Sequence, residues 1–589
     1  MKKEQFMRTG ILSRALVACA ALLVAIGCAA VPASAQTAPS PRFAALATVN
    51  AVAPCASLTS VDLATDVGEK TSITAASEVA GQHPYCRVTG TIARTIKFEV
   101  RLPLSGWTQR FLHTGCGGLC GMIRIDTGGA EGCTPVTDGS VALAATDMGH
   151  QGMGDEWGEN ADQRVDFAWR GNHLTALAAK ALIRTFYGQA PRYSYFSGCS
   201  DGGREALIEA QRFPQDFDGI AAGAPALNFT IQNSFHHGWL AKSNTGADGK
   251  ALLSAVDMAP LHAAVMKACD GLDGLVDGQI TDPRQCRFDP AVIRCSADYQ
   301  PGKCLTGEQV TAARAIYEGA RSPSGKRLEV GPIMPGSELE WVGVFVPREK
   351  SGAIMSTMMA LGTINHLLFT PNRTYTIGSF PFTEAMFAEL ESARQLYNAD
   401  NPDLAGFAAH GGKLLLWHGW SDPHISPQNT IDYYARVGRR MGAAKRQTFV
   451  RMFLLPGMGH CMGGDGPNQF PLLASLMAWV ETGNAPDVLI AHRAPAPAVM
   501  PPPPAAGQKA APLVGPDGKP LTPEMLSMLT EMQRRQAELA SLGSRSRPIF
   551  AYPKLARFLG HGSIDDASNF SAAMPPAING IADWIGATK

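Results

Sequence analysis

The sequence lacks an excess of charge of either sign. Its 589 residues include 51 Lys and Arg against 51 Asp and Glu. Proteins that bind nucleic acid, acidic polymers or anionic membranes through their net charge usually carry a basic excess. We therefore expect none of these partners. The 45% hydrophobic content is ordinary for a globular protein and allows a sizeable core.

Long hydrophobic runs are also missing. The most extended one, ALVACAALLVAIGCAA, follows four basic residues and precedes VPASAQ. A basic start, a short apolar run and an Ala-x-Ala cleavage site are the parts of a secretory signal peptide, which predicts a signal peptide over residues 1–35. No later stretch reaches about 18 uninterrupted apolar residues, the length that spans a bilayer. We therefore expect a secreted or periplasmic protein without a membrane span. Lipid attachment at Cys28 stays open, although Ala25 stands where such a site has leucine.

Cysteines become disulfide candidates in an exported protein. Two of the 13 cysteines lie in the predicted signal peptide, so eleven remain. In an oxidising compartment these are disulfide partners before they are metal ligands or redox centres. Because eleven is odd, at least one of them should be free or paired elsewhere.

The alternation of short apolar runs with helical patterns predicts an α/β fold. IKFEVRLP, QRFLHTG, SVALAATD and YSYFSG are typical of strands, and NHLTALAAKALIRTFYG is typical of a helix. Such alternation predicts a largely parallel sheet with helices on both faces. We expect its first part in residues 36–225 and its second part in 403–589. Residues 226–402 lack the alternation and are predicted to be an insertion. A further insertion at about 494–547 is predicted to begin with a Pro/Ala-rich segment and to include a helix.

One short motif raises the question of a nucleophile. Gly198-Cys199-Ser200-Asp201-Gly202 reads G-x-S-x-G, which places a serine on a strand-to-helix turn. The alternative is a serine in an ordinary glycine-rich turn, and in a chain with 61 glycines the motif alone does not decide. A serine nucleophile needs a base, a group that orients the base, and N–H donors for the oxyanion. The N–H of Asp201, which opens the helix, is one candidate donor.

An acid and a base follow Ser200 in the order expected of an α/β-hydrolase. Asp422 follows the strand KLLLWHG, and His460 follows the strand around FVRMFLL. Five other histidines compete with His460, and each of them taken singly is interpreted as structural: His150, His173, His236, His237 and His418. Cys461 stands next to His460 as Cys199 stands next to Ser200. A disulfide between them would tie the nucleophile to the base; the alternative is two unrelated cysteines.

Three separated motifs resemble one family. GCSDGGREAL, HGWSDPHISP and GMGHCMGG are similar to those of the tannase/feruloyl esterase family of α/β-hydrolases, and the resemblance runs from about Cys55 to YPKLARFLGHGSIDDASNF. It implies an α/β-hydrolase sheet with a large inserted lid over residues 226–402. It implies that Ser200 is the nucleophile, His460 the general base and acid, and Asp422 its orienting carboxylate, with Cys199 bonded to Cys461. In HTGCGGLCG it places the second oxyanion donor at the N–H of Gly117.

The resemblance also implies a calcium loop. In CDGLDGLVDGQITDP the first three aspartates, Asp270, Asp273 and Asp277, would repel one another without a cation, and calcium takes six to eight oxygen ligands. The spacing does not match an EF-hand, and a solvated acidic turn is the alternative. The resemblance implies a structural calcium in the lid. The ligands would be Asp270, Asp273 and Asp277 with the carbonyls of Leu275 and Gln279.

Further cysteine pairs are implied by the resemblance alone. They are Cys55 with Cys86, Cys269 with Cys286, and Cys295 with Cys304. The sequence departs from the family at Cys116 and Cys120, where other residues are expected. With Cys133 these allow an extra disulfide plus a free thiol, or a zinc site. Phe550 and Ala572 stand where the family commonly has one more cysteine pair.

The resemblance implies a serine carboxylic-ester hydrolase without an organic cofactor, acting on small esters of aromatic acids of the feruloyl or galloyl type. Another aryl ester such as mono(2-hydroxyethyl) terephthalate is an alternative substrate. A noncatalytic binding protein of the same fold and a peptidase with the same triad are alternative functions. Five lid aromatics line the acyl pocket or form the lid core: Trp341, Phe345, Phe369, Tyr375 and Phe380.

Overall fold

A nine-stranded mixed sheet forms the centre of the protein. A computed structural model describes residues 41–125, 127–152, 154–493, 543–576 and 584–587. The expected signal peptide, Cys28 and nearly all of the insertion at 494–547 lie outside the described residues. The order of strands in the sheet is β1-β2-β3-β5-β4-β6-β7-β8-β9. The strands are β1 Thr71–Val79, β2 Tyr85–Ile92, β3 Ile96–Pro103, β4 Arg110–Thr114, β5 Ala142–Thr146, β6 Tyr193–Cys199, β7 Gly219–Gly223, β8 Lys413–Gly419 and β9 Val450–Leu455.

Strand direction divides this sheet into two parts. The pairs from β5 through β4, β6, β7 and β8 to β9 are parallel. The pairs β1–β2, β2–β3 and β3–β5 are antiparallel. The predicted parallel sheet is therefore extended by an antiparallel edge. Much of β1 is exposed, as expected for an edge strand.

Helices cover both faces of the sheet, as predicted. Leu414 and Phe111 pack in a cluster with the helices Gly171–Tyr187 and Asp201–Arg212, whereas their chain neighbours Leu415 and Leu112 pack in another with the helix Leu472–Thr482. Successive side chains of a strand point to opposite faces, which explains the division. The helices are α1 Ala64–Val67, α2 Thr134–Thr137, α3 Ala161–Val165, α4 Gly171–Tyr187, α5 Asp201–Arg212, α6 Phe229–Ile231, α7 His237–Ser243, α8 Ala255–Cys269, α9 Gly307–Glu318, α10 Met355–His366, α11 Glu384–Glu389, α12 Glu391–Tyr397, α13 Ala405–His410, α14 Gln428–Met441, α15 Ala443–Phe449 and α16 Leu472–Thr482.

The chain between β7 and β8 forms the inserted part. It contains α6 to α13 and a hydrophobic cluster of its own. A second cluster joins it to Cys120, Met148 and Phe167 of the first part of the chain. Two small antiparallel sheets follow β9, made by β10 Val488–His492 with β11 Ser546–Phe550 and by β12 Leu555–Phe558 with β13 Phe570–Ala573. Among the described helices, none has the length and hydropathy to cross a membrane.

Candidate active site

Ser200 lies on the sharp turn between β6 and α5. Its backbone has φ 65° and ψ −122°, a conformation that is strained for a residue with a side chain. The neighbouring glycines make this turn possible. A Cβ at Gly198 would lie 2.4 Å from the Gly202 carbonyl oxygen, and one at Gly202 would lie 2.8 Å from the Cys116 carbonyl oxygen. The G-x-S-x-G motif is therefore a steric requirement of this turn.

His460 connects Ser200 to Asp422. The distance from His460 Nε2 to Ser200 Oγ is 2.8 Å, and the distance from His460 Nδ1 to Asp422 Oδ2 is 2.7 Å. A carboxylate only accepts hydrogen bonds, so Nδ1 carries the proton and Nε2 is left to accept the Ser200 hydroxyl. The three residues follow β6, β8 and β9, whose carboxyl ends meet at one edge of the sheet.

Asp422 is a buried carboxylate with several donors. Its Oδ1 accepts the N–H groups of His424 and Ile425 at 2.8 and 3.0 Å. Burial raises its pKa, but the His460 imidazole and the hydrogen bonds from His418 and His460 outweigh burial and hold the pKa well below its usual range. Asp422 is therefore ionised and fixed in orientation beside His460.

His418 is a partner of Asp422 that the sequence did not reveal. It is fully buried, and its Nε2 donates to Asp422 Oδ2 at 3.1 Å and to the Ile425 carbonyl at 3.0 Å. Its Nδ1 lies 2.7 Å from Thr430 Oγ1. These contacts give His418 a structural role, which is to hold the Asp422 carboxylate that faces His460. The local sequence pattern does not distinguish such a histidine from any other at the end of a buried strand.

His424 lies against the other side of His460. The two ring centroids are 4.7 Å apart. Burial lowers the pKa of His424 to about 3, with a further contribution from His460, so the ring is neutral. A neutral ring adjoins the base without adding charge. His424 is a further residue of this site that was not predicted from the sequence.

A disulfide joins the two loops that carry Ser200 and His460. Cys199 and Cys461 are bonded across a separation of 262 residues. Each stands directly beside one of the predicted catalytic residues, Ser200 or His460. Cys461 also has a positive φ of 63°. The bridge links the turn after β6 to the loop after β9.

The predicted oxyanion loop lies directly on the nucleophile turn. The Gly115 N–H donates to the Ser197 carbonyl at 3.0 Å, and a Cβ at Gly202 would lie 2.8 Å from the Cys116 carbonyl oxygen. A Cβ added at Gly117 would meet no atom within 4 Å, so this glycine borders open space. The Asp201 carboxylate pairs with Arg204 at 2.6 and 2.9 Å, which fixes the first turn of α5.

The remaining cysteine pairs are those that the resemblance implied, with one addition. The structure bonds Cys55 to Cys86, Cys269 to Cys286 and Cys295 to Cys304. It also bonds Cys116 to Cys120. Cys133 is buried with its thiol 3.6 Å from the Met477 sulfur, and burial raises its pKa to about 12. This arrangement is the extra disulfide plus free thiol. It does not support a zinc site formed by these three cysteines.

The aspartate loop folds back on itself. Asp270 accepts the N–H groups of Asp277 and Gly278 at 3.2 and 3.0 Å, and Asp273 accepts that of Leu275 at 2.9 Å. Asp277 accepts the Gln279 N–H and contacts the Arg547 guanidinium. The donor set consists only of oxygen atoms, which fits a hard cation. In this part of the described chain the carboxylates do not converge within 4.8 Å of one another, so ligation needs side-chain rotation.

The lid aromatics divide between two clusters. Trp341 and Phe345 pack with Leu240 and Leu253. Phe369, Tyr375 and Phe380 belong to the cluster that contains Phe167 and Phe229. Only this second cluster reaches the oxyanion loop among the described contacts, through Cys120 and Leu119.

Comparison with known proteins agrees with this geometry. The family model described as "Tannase and feruloyl esterase" matches residues 77–573. The chain belongs to the tannase and feruloyl esterase family. It is therefore a carboxylic ester hydrolase with the α/β-hydrolase fold.

Several family members can be compared in detail. The mono(2-hydroxyethyl) terephthalate hydrolase of Piscinibacter sakaiensis is 30% identical over 85% of this chain and 87% of its own length. A probable feruloyl esterase B-2 of Aspergillus flavus is 31% identical over 67% of this chain and 76% of its own. The crystal structure of feruloyl esterase B from Aspergillus oryzae superimposes with a TM-score of 0.68, at 26% identity, over 85% of this chain and 97% of that one.

Proposed function

We propose that this esterase cleaves small esters of aromatic carboxylic acids through an acyl-enzyme on Ser200. The observation that carries the proposal is the chain of contacts from Ser200 Oγ to His460 Nε2 at 2.8 Å and from His460 Nδ1 to Asp422 at 2.7 Å. A base oriented by a buried carboxylate and aimed at a hydroxyl is the arrangement that activates serine.

The reaction has two halves with the same proton carrier. Ser200 Oγ forms a bond to the ester carbonyl carbon while its proton passes to His460 Nε2. The N–H groups of Gly117 and Asp201 hold the oxyanion. The intermediate collapses with loss of the alcohol, which takes the proton from His460. Water then attacks the acyl carbon while His460 takes its proton. The bond to Ser200 Oγ breaks, His460 returns the proton to Ser200, and the acid leaves.

An aromatic acyl group suits the surroundings of the oxyanion loop. Leu119 and Trp157 pack against the cluster that contains Phe167 and Phe229, and Trp157 stacks on His150 at a centroid distance of 4.2 Å. Aromatic rings favour flat, polarisable partners. Some relatives are named for feruloyl esters and one for mono(2-hydroxyethyl) terephthalate. Ferulic and terephthalic acids are both aromatic, so these names agree with the proposed substrate class.

An ester panel tests the proposal. Methyl ferulate, methyl gallate, mono(2-hydroxyethyl) terephthalate, nitrophenyl esters and matching amides are compared for the wild type, Ser200→Ala and Ser194→Ala. Ser194, at the other end of β6, is the matched control. We expect Ser200→Ala to lose at least about 1000-fold in kcat, since the nucleophile is absent, and Ser194→Ala to keep its activity.

The panel also decides between the alternatives. Activity of Ser200→Ala equal to that of the wild type would refute the acyl-enzyme. Negligible rates for both on every ester would favour the noncatalytic binding protein. Preference for the terephthalate or for the amides would assign the corresponding substrate class.

We also propose export and a structural calcium. Export predicts that the mature chain begins near Gln36, which mass spectrometry of the secreted or periplasmic protein measures; a lipid-modified Cys28 would contradict it. Calcium would be held by Asp270, Asp273 and Asp277 with the carbonyls of Leu275 and Gln279. It would neutralise the carboxylates of this loop.

A further inference from the structure

The Cys116–Cys120 disulfide encloses the predicted oxyanion residue. The bridge spans only four residues, and Gly117 lies inside it. Loop-closure entropy rises with the length of the closed loop. A bridge this short therefore constrains the unfolded chain far less than one across 262 residues. Its main effect must be on local geometry.

The enclosed loop has few other restraints. Within the described residues its internal backbone hydrogen bond runs from the Cys120 N–H to the Gly117 carbonyl at 3.1 Å. Gly117 has no side chain to anchor it, and its neighbourhood is open. Cys120 has a positive φ of 63°, which is unfavourable for a residue with a Cβ. The loop therefore needs an external restraint to keep one conformation.

Glu205 supplies contacts from below the loop. Its carboxyl is buried at 2% exposure on α5, one turn after Asp201. Glu205 Oε2 accepts the Cys116 N–H at 3.1 Å. Glu205 Oε1 lies 2.9 Å from Cys116 Sγ and 3.2 Å from Cys120 Sγ. One carboxyl group thus contacts both ends of the disulfide.

The protonation of Glu205 is consistent with these contacts. Burial first, and then the Asp201 carboxylate, raise its pKa to about 8, against the opposing effect of Arg204. The neutral carboxyl can accept the Cys116 N–H through one oxygen and donate its O–H to the Asp201 carboxylate. Burial raises the pKa of Asp201, and this hydrogen bond acts in the opposite direction and lowers it. Glu205 lies on helix α5. The first N–H of this helix, that of Asp201, is the other predicted oxyanion donor.

We propose that the Cys116–Cys120 disulfide and Glu205 together position the Gly117 N–H for the oxyanion. This inference rests on the proposed serine mechanism and makes Glu205 a positioning residue that does not touch the substrate. The bridge limits the shape of the loop, and the carboxyl fixes the loop to the helix that bears the second donor. The two donors thereby share one rigid support.

Substitution tests this better than reduction, because a reducing agent would also open Cys199–Cys461. The variants are C116A/C120A, Glu205→Gln and Glu205→Ala. The control is C295A/C304A, which removes another short bridge, one closing nine residues in the insertion. The readouts are kcat, KM and the inhibition constant of an aryl trifluoromethyl ketone, whose carbonyl adds Ser200 Oγ and places an oxyanion in the same position.

We expect C116A/C120A and Glu205→Ala to lower kcat by about 10- to 100-fold, since loss of an entire oxyanion donor costs about 100- to 1000-fold. KM should stay within about threefold, and the ketone should bind more weakly by the same factor as kcat falls. Glu205→Gln should keep kcat within about threefold, because its amide can accept the Cys116 N–H and donate to the Asp201 carboxylate. The control should match the wild type.

Specific outcomes would overturn the proposal. If C116A/C120A matches the control in kcat and in ketone affinity, the bridge is not a positioning device. If Glu205→Ala and Glu205→Gln behave alike, Glu205 has no positioning role, and this pair decides even if the cysteine variant folds poorly. Full activity of Ser200→Ala would instead refute the mechanism on which the inference rests.

Discussion

Removal of the Cys199–Cys461 bridge should lower both turnover and stability. The double variant C199A/C461A loses two constraints together, one on the unfolded chain and one on the backbone of the site. The bridge closes 262 residues, which corresponds to about 5–6 kcal/mol of lost unfolded-chain entropy in the loop-closure model. It also restrains Ser200 and Cys461, which have φ values of 65° and 63°. Each such residue costs about 1–2 kcal/mol, so the backbone can relax once the bridge is absent.

The kinetic effect follows from the distance between base and nucleophile. Relaxation that moves His460 Nε2 by about 1 Å from its 2.8 Å contact with Ser200 Oγ costs about 100-fold in rate. This factor corresponds to about 2.7 kcal/mol of barrier. We therefore expect kcat to fall by about 100-fold, while KM changes little because the substrate pocket is intact.

The assay measures kcat and KM on an aryl ester well below the unfolding temperature of the variant, after circular dichroism has established that it is folded. The matched control is C55A/C86A, which removes a bridge closing 31 residues between the N-terminal segment and β2. This control should lose stability but keep kcat within about twofold. A C199A/C461A variant with wild-type kcat would refute the positioning argument.

Three further predictions concern single groups. His418→Ala should lower kcat about tenfold, measured on the same ester, because Asp422 loses a buried donor; unchanged kcat would make His418 purely structural. The Glu205 carboxyl stays neutral in the folded protein up to a pKa of about 8 but ionises near pH 4.3 when unfolded. Its contribution to stability is thus complete below about pH 4.3 and is lost as pH rises toward 8. The urea midpoint of the wild type should fall relative to that of Glu205→Gln between pH 5 and 8, and parallel midpoints would contradict the assignment. Chelation by EDTA should lower the unfolding temperature of the wild type, because calcium stabilises only the native loop. The control Asp289→Asn should show the same shift, and Asp277→Asn should show none. An unchanged unfolding temperature of the wild type would refute the calcium site.

The sequence predicted the parts of the site that depend on chain order. Ser200, Asp422 and His460 each follow an apolar strand, and parallel strands bring such loops to one edge. The contact between His418 and Asp422 was not predicted, because a histidine at the end of a buried strand has the same local pattern whether or not it has a functional partner. The pairing of Cys116 with Cys120 remained one of several possibilities, since spacing does not determine connectivity.

The fold was predicted best where periodicity is strong. The strands from β3 to β6 and helix α4 correspond to the apolar segments read from the sequence. The antiparallel edge formed by β1 and β2 was missed because β1 is largely exposed and carries few apolar residues in alternation. An edge strand obtains its order from pairing with its neighbour, and that information is not local in the sequence.

The site combines residues that are distant in sequence with local backbone strain. This explains where the disulfides and buried hydrogen bonds that restrain it lie. Ser200, Asp422 and His460 come from three loops, and Ser200 and Cys461 have backbone conformations that a free loop would leave. Strained residues persist only when their surroundings over-determine them. Here the loops that carry Ser200 and His460 share a disulfide, and Asp422 is held by His418 and two backbone N–H groups. The predicted oxyanion loop has its own bridge above Glu205. Loss of any one of these restraints should therefore lower kcat before it unfolds the protein. The strain is confined to the loops of the site, whereas the hydrophobic core lies elsewhere in the protein.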